Sequence, residues 1–92
     1  MAIYFVYLIV TKNKKKTISY VGYSNNLKKR LKLHNASKGA KFTRGRKWKL
    51  IYYKTYYSKT KALKEEYKLK KNYYLRNKIK KKFNENFNFT SI

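Results

Sequence analysis

The sequence predicts an α+β domain with the element order β-β-α-β-α-α, and three patterns lead to it. Residues 2–10, AIYFVYLIV, are apolar at both alternating sets of positions, which suits a strand covered on both faces. TISYVGYS (17–24) and KWKLIYYKTYY (47–57) have the aromatic and β-branched content of two more strands. In NLKKRLKLHN and ALKEEYKLKK, apolar residues recur at helical spacing among lysines. A strand buried on both faces needs a layer on each side. The helices are therefore expected to flank a small central three-stranded sheet.

In the first strand Ile3, Phe5, Tyr7 and Ile9 share one face, and Tyr4, Val6, Leu8 and Val10 the other. The polar TKNKKK that follows is a turn, so the first two strands form a hairpin. Ser24 or Asn25 can cap the helix that runs through NLKKRLKLHN. ASKGAKFTRGRK, punctuated by Gly39 and Gly45, is a loop with room for one helical turn. After the third strand, Ser58 or Thr60 can cap a long helix through about Leu75, and a shorter basic helix is expected to end at Phe83. The folded domain is thus expected over 1–83, with 84–92, NENFNFTSI, as a low-complexity tail.

The chain has 92 residues, 26 Lys and Arg against three Asp and Glu, and a formal net charge of +23. A surface of this kind attracts polyanions, and nucleic acid is the expected partner. A membrane partner would call for one basic amphipathic helix, whereas these bases run from Lys12 to Lys82. No apolar run nears the roughly 20 residues of a transmembrane helix. There is no cysteine, which removes disulfides and Cys-based zinc sites. The apolar N-terminus precedes its lysines, the reverse of a secretory signal, so a cytoplasmic location is expected.

With so few acids, the pair Glu65 and Glu66 stands out. On a wheel of about 100° per residue, Glu66 falls about 40° from Ala62, inside an apolar arc with Leu63, Leu69, Tyr73 and Tyr74, whereas Glu65 falls about 60° to the other side, outside it. An inward Glu66 either pairs with Lys70 one turn on or serves a site. On the first helix Arg30 and His34 stack one turn apart beside the apolar stripe of Leu27 and Leu31. They either lie along the core margin or share a site. Gly22, inside a strand pattern, marks a bulge or the close approach of another group.

Taken in order, FVYLI (5–9), YVG (20–22), Arg30, His34 and Glu66 resemble the GIY-YIG nuclease superfamily. The likeness extends through GAKFTRGRKW and ALKEEYKLKK, over roughly residues 3 to 80. It is closest to small free-standing bacterial members and to the nuclease subunit of structure-specific junction resolvases. The resemblance implies a metal-dependent endonuclease with little intrinsic sequence specificity, of the kind used in DNA repair. Tyr7, Tyr20, Arg30, His34 and Glu66 would be catalytic, Gly22 the motif glycine, and Glu66 the ligand of a single Mg²⁺ or Mn²⁺. Phe5 replaces the first motif glycine.

Within this resemblance Tyr7 is the expected general base, with Arg30 and the cation favouring its phenolate form. Lys38, Lys41, Arg44 and Arg46 in the glycine-bearing loop are the expected phosphate contacts, with Lys12 and Lys14 to Lys16 as a second basic tip. Two other readings remain open: a non-catalytic basic nucleic-acid binder, and a nuclease subunit active only with a protein partner that supplies targeting.

Overall fold

The computed structural model describes residues 2–13 and 16–90. The elements are β1 (Tyr4–Asn13), β2 (Lys16–Ser24), α1 (Leu27–Asn35), β3 (Lys49–Tyr56), α2 (Lys59–Lys71) and α3 (Tyr73–Thr90), with a short 3-10 turn at Lys41–Thr43. This is the expected α+β order. The strands form one antiparallel sheet in the order β2-β1-β3, so β1 is central. Lys14 and Lys15, half of the expected second basic tip, lie outside the described residues.

β1 is buried on both faces, which is why its sequence does not alternate with polar residues. Val6 and Leu8 pack with Val21, Ala62 and Leu69 under α2 and α3. Tyr7 and Ile9 pack with Trp48 on the opposite face, flanked by Leu27 and Leu31 of α1. The register shifts between Leu8 and Ile9 where β1 meets β3.

Three boundaries differ from the sequence expectation. The cap of α1 is Asn26, whose side chain accepts from the Lys29 N–H at 3.1 Å. Ser24 is used one step earlier, accepting from the Asn26 N–H at 3.0 Å. At the other end, α2 stops at Lys71 and does not reach Leu75, because Asn72 closes one helix and opens the next. Its N–H bonds back to Leu69 and Lys68, and its side chain accepts from the Leu75 N–H at 3.0 Å. The wheel phase restarts there. Tyr73 and Tyr74, assigned by the wheel to the apolar arc of the long helix, are instead exposed in the first turn of α3. α3 then continues past the expected end at Phe83, since neither glycine nor proline interrupts 73–90.

Candidate active site

β1 places the Tyr7 side chain directly opposite Gly22 of β2. A Cβ at position 22 would collide with the Tyr7 hydroxyl, so glycine is what lets the ring lie across the strand. Tyr7 is 1% exposed, yet it ends in a polar cluster. Its hydroxyl lies 2.7 Å from His34 Nε2. The Arg30 guanidinium lies close to the same phenol oxygen and to the Tyr20 hydroxyl. The Tyr20 ring stands edge-on to the imidazole, with centroids 5.3 Å apart. α1 thus turns Arg30 and His34 toward the sheet from one face, as their spacing of one turn requires.

The loop after α1 closes over the imidazole. His34 is fully buried, and its Nδ1 lies 2.8 Å from Thr43 Oγ1. Gly39 packs so tightly that an added Cβ would sit 2.5 Å from Nδ1. The loop is held at its base by Asn35, which accepts from the Trp48 N–H and donates to the Trp48 carbonyl. The Trp48 indole N–H in turn donates to the Thr43 carbonyl at 2.8 Å.

Burial pushes the Tyr7 phenol up to about 12, against the lowering pull of Arg30. Arg30 pulls the phenol down, as expected, but desolvation outweighs the guanidinium alone in this pocket. His34 moves down from 6.5, because burial and the neighbouring Arg30 both disfavour imidazolium. The site therefore rests as neutral phenol against neutral imidazole.

Glu66 approaches from α2, on the other face of the sheet, and its charge is felt by the Tyr7 phenol. It also meets Lys70 Nζ at 3.9 Å, so the local pair is formed. Glu65 does not lie outside the packed surface as the wheel suggested. The side chains of Glu65 and Glu66 are 25% and 19% exposed, so burial barely separates them. Their neighbours do. Glu65 pairs with Lys61 and Lys68 at 3.7 and 3.8 Å, and its charge acts on Tyr56, whereas that of Glu66 acts on Tyr7.

Among the described residues no group of three or more His, Cys, Asp or Glu could hold a metal. Both His34 nitrogens are occupied by Tyr7 and Thr43, so of His34 and Glu66 only Glu66 is open to a cation. That set does not suit zinc, which takes three or four protein ligands. It does suit a hydrated hard cation, since Mg²⁺ keeps most of its waters and binds through one or two carboxylates.

Of the expected phosphate contacts, Lys38, Lys41 and Arg44 are exposed, whereas Arg46 is half-buried, with its guanidinium 5.7 Å from the Phe42 ring centroid. Phe42 is itself 53% exposed and stacks on Tyr20. Together with Ser19, Val21, Lys70 and Arg76, these two rings line a cleft beside the cluster. The sequence reading missed Thr43, Phe42 and Arg76. An exposed aromatic inside a basic, glycine-bearing loop could have drawn attention to Phe42. Nothing in the sequence ties Arg76 to β2, because the break at Asn72 sets the direction of α3.

A family model described as GIY-YIG catalytic domain matches residues 3–86. Among curated proteins, a "UPF0213 protein" of Oceanobacillus iheyensis is 48% identical over 52 residues, 55% of this chain and 60% of the relative. One of Clostridium perfringens is 44% identical over 66 residues, 71% of this chain and 70% of the relative. One of Staphylococcus haemolyticus is 38% identical over 71 residues, 76% and 83% of the two chains. The chain thus spans between about half and four fifths of the curated relatives it matches. No solved structure gives a significant match.

Proposed function

This chain belongs to the GIY-YIG family, and from that premise we propose that it is a metal-dependent endonuclease that hydrolyses phosphodiester bonds in DNA with little sequence selectivity. Family membership supports an endonuclease role and a nucleic-acid substrate. The observation that carries the proposal is the Tyr7–His34–Arg30 cluster, a buried proton donor and acceptor in contact beside an invariably charged guanidinium. A purely structural core has no use for that combination at the edge of a basic cleft.

In the proposed reaction the attacking water gives its proton to the Tyr7 oxygen as its own oxygen bonds to phosphorus. The proton already on Tyr7 passes in the same motion to His34 Nε2, 2.7 Å away. With the phenol at about 12 and the imidazole depressed, neither transfer runs ahead of attack, and the two are coupled to it. Arg30 stabilises the charge that grows on the non-bridging oxygens. Glu66 would hold a single Mg²⁺ or Mn²⁺, which would supply positive charge to offset that of the departing 3′ oxygen, and that oxygen takes its proton from solvent. Tyr20 orients Arg30, and the cleft of Phe42, Lys70 and Arg76 carries the adjoining strand.

The direct test is a nicking assay of the isolated chain on linear duplex, single-stranded and branched DNA, and on RNA, with Mg²⁺ and with Mn²⁺. Metal-dependent cleavage of any of these supports the reading. Tight binding without cleavage would favour a non-catalytic binder, and cleavage only after adding a cell extract would favour a partner-dependent subunit.

Two further outcomes are expected. Because His34 must be neutral to accept a proton and its pKa lies below 6.5, single-turnover cleavage should rise with pH on the acid side of 6.5 and then level off through mildly alkaline pH. A rate that climbs steadily toward pH 10 would mean a preformed phenolate. Binding should also be steeply salt-dependent. Changing Lys38, Lys41 and Arg44 together to alanine should make the slope of log affinity against log salt shallower by about 2 to 3 units. An unchanged slope would take this loop off the nucleic-acid path.

A further inference from the structure

We infer that Thr43 is a positioning residue for cleavage, whose hydroxyl fixes the tautomer of His34 and leaves Nε2 bare toward Tyr7. The inference rests on the endonuclease reading and assigns a role to a residue outside its motif set. It follows from counting hydrogens. A threonine hydroxyl has one hydrogen to give. Thr43 Oγ1 lies 2.8 Å from the Ala40 carbonyl, which can only accept, so that hydrogen is committed there. Toward His34 Nδ1, also at 2.8 Å, the same oxygen can then only accept, and Nδ1 must carry the imidazole proton. In the neutral ring that leaves Nε2 as an acceptor.

The same conclusion is reached from the other end of the chain of contacts. Arg30 can only donate to the Tyr7 oxygen, so the phenol hydrogen must find its acceptor elsewhere. His34 Nε2 at 2.7 Å is that acceptor. The two counts share no atom except the ring they describe, and they agree. The proton path therefore has a direction: from Tyr7 into His34, with the imidazole backed by the Thr43 oxygen.

The loop holds Thr43 so that it cannot take the opposite role. Its backbone N–H bonds to the Ala40 carbonyl at 3.0 Å, closing the 3-10 turn that brings hydroxyl and acceptor together. Its carbonyl accepts from the Trp48 indole, and Trp48 is clamped at both backbone groups by Asn35, next to His34 on α1. Thr43 itself is fully buried, so no water competes for the hydroxyl. Only glycine at 39 lets the loop come this close to the ring.

The test combines imidazole nitrogen NMR with single-turnover cleavage in wild type, Thr43→Val and Thr43→Ser. Wild-type His34 should carry its proton on Nδ1 above its titration, with Nε2 unprotonated. Thr43→Val keeps the shape but removes the acceptor, so the Nε2-protonated form should gain population. Its cleavage should fall by about 10- to 100-fold, the range for partners that orient a functional imidazole, with affinity for uncleaved DNA unchanged. Thr43→Ser restores the hydroxyl and should restore both readouts. Three results would overturn the inference: a wild-type ring protonated on Nε2, a Thr43→Val variant with unaltered tautomer and rate, or a Thr43→Ser variant as impaired as the valine. Should wild type cleave nothing, the endonuclease reading fails by that result alone, while the ring spectrum still decides the tautomer.

Discussion

Replacing Tyr7 with phenylalanine is expected to slow single-turnover cleavage by about 10²- to 10⁴-fold, the span of a positioned acid-base group, while affinity for uncleaved DNA stays close to wild type. The ring is what packs: it fills the space opposite Gly22 and is 1% exposed, and phenylalanine keeps that packing. The hydroxyl is the group that the proposed reaction uses, and it lies between Arg30 and His34. Stability should fall by about 1–3 kcal/mol, because His34 Nε2 is left buried without its donor. Tyr20→Phe should cost far less activity, since the Tyr20 hydroxyl touches Arg30 and the structure gives it no bond to His34. Single-turnover rates of the two variants decide between them. A normal rate in Tyr7→Phe with a dead Tyr20→Phe would reverse the assignment of the base.

How far the sequence carried this account depends on the range over which each feature is determined. β1 was legible because burial on both faces leaves its mark on every residue of AIYFVYLIV. Gly22 was legible as a close approach, and the approaching group is the Tyr7 hydroxyl. The helix break at Asn72 was not, because an asparagine among lysines is compatible with either a helix interior or a cap, and only the fold selects the cap. That one residue moved Tyr73 and Tyr74 from the apolar arc to the surface and brought Arg76 to the cleft beside Tyr20. The wheel's separation of Glu65 from Glu66 by burial does not hold, since the two side chains are 25% and 19% exposed. A wheel measures direction from the helix axis, and both directions meet packed side chains here. The protonation states were beyond the sequence altogether. Arg30 near a tyrosine suggests a lowered phenol, and only the depth of burial reverses the sign.

Glu66→Gln is the second change of large expected effect. Glutamine keeps the size of the side chain and a hydrogen-bonding oxygen, and it removes the negative charge that a hydrated cation needs. The fold should survive, because the pair with Lys70 is long, at 3.9 Å, and Lys70 is exposed. Nucleic-acid affinity should be equal or higher, since one negative charge leaves a basic surface. Cleavage should drop by about a hundredfold or more at a metal concentration that saturates wild type. Glu65→Gln offers the matched control: a neighbouring carboxylate of similar burial whose partners are Lys61, Lys68 and Tyr56. The measurement that tests the site as a whole is therefore cleavage titrated with Mg²⁺ and Mn²⁺ in both variants, with circular dichroism to confirm folding. The account predicts wild-type titration for Glu65→Gln and a lost or strongly right-shifted titration for Glu66→Gln. Equal titrations for the two, or full activity in Glu66→Gln, would contradict it.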